Sequence, residues 1–170
     1  MTFLFCSYNI CIGQEVPFEK IKKFIPTSLT SNDVNTYTGD LNRDDYEDLI
    51  LRFKMDDESE YIEHFYILVG QKNGTYTLAA KNDTVELDDV DGTSFDNVVI
   101  NNGYFSLEYI GYGNTSGSYD IVTFKYSKED DNWVLHRQGT KFMHRYGDGV
   151  YESMTTQKDF GKVLFENYEM

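Results

Sequence analysis

Two Asn-Gly dipeptides, Asn73-Gly74 and Asn102-Gly103, each sit between runs of apolar, β-branched and aromatic residues. Asn-Gly readily takes up the two successive positive-φ conformations of a tight hairpin turn, so each pair ties its flanking runs together as antiparallel strands. This constrains the chain more than any other feature. A run over 61–69 returns as 75–80 through the turn at 71–74, and 97–100 returns as 104–110 through the turn at 101–103. A third hairpin is expected from 119–126 to 132–138, joined by the charged segment 127–131. An apolar run that begins to alternate over 49–55, a further strand over 141–146 and a closing strand over 160–165 complete the pattern. The expected fold is mainly β: an antiparallel meander of hairpins in one curved sheet or a sandwich. No fixed-period repeat is present, which argues against a full propeller.

One short helix is expected ahead of the strands. Pro17 suits a first helical position and Pro26 stops the helix. Phe18, Ile21, Phe24 and Ile25 share a face, with lysines opposite. This helix reads as a lid packed on a sheet end, followed by a polar link over 27–36. Residues 14–170 then form a single β-rich domain, with no composition break inside it. Residues 1–13 carry no charge and are mostly apolar. They read as a truncated secretory leader, with Cys11 and Gly13 as the small residues before a cut at Gln14. The other reading is an ordinary first strand over 3–12. The run is too short for a membrane-spanning helix. With the leader, the protein is periplasmic or secreted; without it, cytoplasmic.

The chain has 29 acidic residues against 15 basic ones, a net charge of −14. Such a surface repels phosphate backbones, which argues against nucleic acid as a partner. It steers basic partners or cations towards the protein, or it serves solubility alone. Cys6 and Cys11 both lie in the leader segment, so the body holds no thiol nucleophile and no thiolate zinc site. His64, His136 and His144 show no metal spacing, and neither a nucleophile elbow nor a phosphate-binding glycine loop is present. Paired carboxylates of a glycosidase type are too frequent to single out, so the chain reads as a non-catalytic binding protein. One form of this is an immunity protein that blocks a basic toxin through acidic charge.

Two places are candidate sites. In 39–51, GDLNRDDYEDLIL, oxygen donors fall at alternate positions: Asp40, Asn42, Asp44, the Tyr46 carbonyl and Asp48. That spacing suits a loop wrapped around Ca²⁺. The same carboxylates equally cap a turn before a strand, as Asx side chains commonly do. Leu51 stands where an EF-hand has its bidentate Glu. A second acidic loop at 88–92 has poorer spacing. The other candidate is an aromatic face of Tyr112, Tyr119, Trp133 and Tyr146 around the Gly/Tyr/Ser segment 111–119, which serves either partner contact or a plain hairpin connection.

The 39–51 stretch resembles the FG-GAP or VCBS-type loop, GDxNxDGxxDLxL, which leads into a propeller-like blade strand. Asp45 stands where that pattern has Gly. Segment 66–83, YILVGQKNGTYTLAAKND, and the closing KDFGKVLFENYE are similar to the continuation in small secreted or periplasmic bacterial proteins of unknown function. The resemblance covers 38–83 best. It implies a β-rich exported protein and, as the alternative function, a calcium-stabilised structural or surface-polymer-binding module.

Overall fold

The computed structural model describes residues 16–55, 62–86, 93–113, 116–144 and 149–169. Two antiparallel meanders follow one another. The first holds β1 (Val34–Gly39), β2 (Asp48–Phe53), β3 (Ile62–Gly70) and β4 (Tyr76–Glu86), side by side in that order. The second holds β5 (Thr93–Asn101), β6 (Tyr104–Tyr112), β7 (Ser116–Ser127), β8 (Asn132–His144) and β9 (Val150–Thr156), again in chain order. A helical turn, α1 (Phe18–Ile21), precedes them; α2 (Gln157–Phe160) and a 3-10 turn (Phe165–Asn167) close the chain.

Both Asn-Gly dipeptides turn the chain, but only Asn102-Gly103 takes two successive positive φ values. Asn102 and Gly103 take φ of 52° and 79°, the left-handed pair that matches the twist of the strands they join. In the other turn Gly74 takes φ 76°, and its amide donates to Gln71 O at 2.8 Å.

The inner faces of the two sheets meet in one core. Ile50, Phe65, Ile67, Ala80 and Val85 from the first pack with Val98, Phe105, Leu107, Tyr109, Val122, Phe124, Trp133 and Leu135 from the second. A second cluster lies on the other side of the first sheet, where Ile21, Ile25 and Leu29 cover Leu49, Leu51, Phe53 and Leu68. This sheet is therefore buried on both faces. That is why β2 reads as a continuous apolar run rather than an alternating one. β6 alternates between buried and half-buried residues along most of its length, because its outer face meets solvent.

The structure corrects several sequence expectations. The N-terminal helix is only four residues long, and its segment covers a sheet face rather than a sheet end. The link at 27–36 already contains the start of β1. Residues 141–144 prolong β8, and the added strand is β9, over a stretch where none was expected. Tail residues 160–165 form no strand beyond a single bridge from Leu164 to Val134. Instead Phe165 and Tyr168 plug the core. Asn82 holds them there, its amide donating to Phe165 O at 2.7 Å and Tyr168 O at 2.8 Å. Among the described residues no helix is long and apolar enough to cross a membrane.

Candidate functional site

The loop between β1 and β2 is held by its own side chains. Asp40 Oδ1 accepts from the Arg43 and Asp44 amides at 2.7 and 3.2 Å, and Oδ2 from Asp45 at 3.4 Å. Asn42 Oδ1 accepts from the Asp44 amide at 3.1 Å, and Asp44 Oδ1 from Tyr46 at 2.9 Å. Each is a short Asx-type bond that turns the chain locally. Arg43 and Asp45 take left-handed φ of 65° and 69°, so Asp45 adopts the conformation for which the resembling pattern uses Gly.

Asp48 differs from the others: it is fully buried. Its Oδ2 accepts from the Leu41 amide and its Oδ1 from the Gly70 amide, each at 2.8 Å. Gly70 is required for this approach, because a Cβ there would collide with the Glu47 carbonyl oxygen. Burial pushes the Asp48 carboxyl up to about 6, against the lowering effect of these two amide bonds. The loop also docks on the second sheet. Gly103 N donates to Asp40 O at 3.2 Å, Arg43 Nε to Asn102 O at 3.0 Å, and Trp133 Nε1 to the buried Leu41 carbonyl at 3.1 Å.

A cation would need these oxygens to converge. Among the described residues no three His, Cys, Asp or Glu groups gather to hold a metal ion. The carboxylates of Asp40, Asp44 and Asp48 each face N–H donors of the loop and its neighbours. These hydrogen bonds are those of a self-capped turn. The acidic stretch 88–92 lies outside the described residues.

The expected aromatic face comes together only in part. Tyr112 is 71% exposed at the end of β6. Tyr119 is half-buried on β7, opposite Ile110 and on the same outer face. Burial and a hydrogen bond with Glu108 raise the Tyr119 hydroxyl's pKa. Trp133 is corrected: it is 1% exposed, inside the core, and presents no contact surface. Residues 132–135 pair with 124–127 after a register shift, which turns Trp133 inward beside Phe124 and Leu135. Tyr146 lies outside the described residues.

The sequence reading missed a group of exposed apolar side chains: Tyr112, Phe142, Met143, Val150, Tyr151 and Met154 are between 46% and 71% exposed. Cross-strand pairing brings Met143 beside Val150 on one face of the sheet, with Tyr112 and Met154, and Phe142 beside Tyr151 on the other. On the Met143 face Lys141 holds Glu152 at 3.2 Å. Among the described residues β9 is the edge strand of its sheet. Its residues, VYESMTT, lack Gly and Pro and include Val, Tyr and Thr, a composition that favours a strand and was the available signal.

Several ionisable groups elsewhere are paired. His64 Nδ1 lies 2.9 Å from Asp83 Oδ1, and its ring stacks on Phe53. Burial works to raise the Asp83 carboxyl, but hydrogen bonds from His64, Lys81 and Tyr66 more than offset this and hold it low. Glu63, buried between the sheets, meets Arg52 Nη2 at 2.6 Å and Lys54 Nζ at 3.3 Å. Comparison with protein families, curated proteins and solved structures finds no match to this chain.

Proposed function

We propose that this is a non-catalytic binding protein, exported from the cytoplasm, that engages a basic protein partner. Toxin neutralisation, as by an immunity protein, is the specific form of this reading. The observation that carries it is the group of exposed apolar side chains on the β8–β9 hairpin, Met143, Val150 and Met154 on one face and Phe142 and Tyr151 on the other, on a molecule of net charge −14. Exposed apolar side chains gathered on one element commonly mark a contact surface. The surrounding charge speeds encounter with a cationic partner and favours it over an acidic one. Among the described residues β9 is also an edge strand, and partners use such an edge by adding a strand.

Affinity capture from the native host tests this, with Val150→Lys and Met154→Lys variants alongside. Both side chains are exposed, so each substitution changes stability by less than about 0.5 kcal/mol. Retention of a basic protein that falls with added salt, and is lost in both variants, is the expected result. Retention indifferent to salt and to both substitutions would overturn the reading. The calcium-stabilised, surface-polymer-binding module of the FG-GAP type is the alternative. The left-handed Asp45 favours it; the amide-facing carboxylates weigh against it.

A further inference from the structure

Among the described residues three buried polar atoms have no hydrogen-bond partner: Arg52 Nε, Glu63 Oε2 and Tyr109 Oη. They belong to one neighbourhood. Arg52 bonds Glu63 through Nη2, and both are close enough to Tyr109 to act on its hydroxyl electrostatically. Arg52 also crosses the space between the sheets, with its guanidinium 4.0 Å over the Phe95 ring. Leaving one such atom dry costs about 1–3 kcal/mol, so a group of three calls for an occupant.

Arg52 and Glu63 line a gap of about 260 Å³, together with Leu29, Asp33, Asn35, Phe53 and Lys54. Water takes up about 30 Å³ in the liquid, and a bound water needs two or more polar partners, so this gap has both room and partners. Glu63 Oε2 requires a donor, Arg52 Nε requires an acceptor, and a phenol hydroxyl serves as either. An occupant must therefore donate and accept at once. The charges also set its sign. An anion would face the Asp33 and Glu63 carboxylates, and a cation would face Arg52 and Lys54, so either would meet a like charge. We propose that the gap beside Arg52 and Glu63 is a binding site for a neutral hydroxyl, carried by water or by a small polyol. The inference stands apart from the partner-binding function above.

Crystals of the full chain, grown without polyol and then soaked in glycerol, separate the two sources. Density within hydrogen-bond distance of both Glu63 Oε2 and Arg52 Nε is expected before soaking. Its persistence as water after soaking assigns water, and its replacement by a glycerol hydroxyl assigns a polyol site. A gap empty in both crystals overturns the proposal.

Discussion

The carboxylate of Asp48 accepts the Gly70 amide at 2.8 Å, joining the first residue of β2 to the last residue of β3. Its second oxygen accepts Leu41 at the same distance. Asp48→Asn keeps the shape but turns an amide NH₂ towards one of these donors. A loss of about 1 kcal/mol is expected near neutral pH in urea unfolding. Acid widens the gap. The folded-state pKa of Asp48 is raised from 3.8 to about 6, so protonation favours the fold. The stability this group contributes is fully present below its unfolded pKa and is lost as pH rises through the folded one. The wild type's advantage over Asp48→Asn, measured from about pH 7 down to about pH 4, should therefore grow by on the order of 2 kcal/mol. A gap that narrows towards acid would show that the amide bonds, and not burial, set this pKa.

Asp40 separates a capped turn from a calcium loop. Its two oxygens accept three amides of the loop. Asp40→Ala removes these acceptors and should cost about 1–2 kcal/mol, as loss of an Asx-type cap does. This cost should be the same in EDTA and in millimolar CaCl₂. The wild-type Tm should differ by less than about 2 °C between the two. A larger calcium-dependent rise would show that the loop binds the metal, since a ligand that binds only the folded state must raise Tm by mass action.

What was legible in the sequence is local. Asn102-Gly103 fixed a hairpin because two successive positive φ values are a property of the residues themselves. The long-range partners were not legible. Lys81-Asn82-Asp83 looks like loop chemistry, yet it lies inside β4. The Asn82 amide is there to hold a tail more than eighty residues away, and Asp83 pairs with His64 and Lys81. Trp133 was read as a surface aromatic for the same reason: only the fold shows that the register shift at Phe124 turns it inward. In the loop the alternating oxygens were visible. Which way each carboxylate points depends on amides such as Gly70, from a strand the loop does not contain.

Trp133 is the single tryptophan, so its surroundings can be read directly. It is buried against Tyr126, with ring centroids 5.2 Å apart. Native emission should be blue-shifted and should move to the red in one step on unfolding, tracking the far-UV signal if the two sheets share a single cooperative core. Trp133→Phe leaves the buried Leu41 carbonyl without its indole donor and opens space, at an expected cost of about 2–3 kcal/mol in urea. A cost below about 0.5 kcal/mol would mean that the contact between the β1–β2 loop and β8 adds little to holding the sheets together.

Arg52 and Glu63 test whether the charge between the sheets stabilises the fold or only specifies it. Glu63 is fully buried, while the Arg52 side chain keeps 19% exposure. Removing one member of a buried pair typically costs about 3–5 kcal/mol, because the other charge is left desolvated. Arg52→Leu should fall at the low end of that range, since Lys54 remains 3.3 Å from the same Glu63 oxygen. Glu63→Leu takes this carboxylate from both Arg52 and Lys54, whose partial exposure allows them to hydrate, so it should cost less than Arg52→Leu. The double variant Arg52→Leu/Glu63→Leu replaces both ions with apolar groups facing Phe95. It should recover to within about 1 kcal/mol of wild type. A double-mutant cycle in urea gives the coupling energy, expected to exceed about 1.5 kcal/mol for groups in direct contact. Additive losses would mean that the two side chains act independently and that the pair does not fix how the sheets face one another.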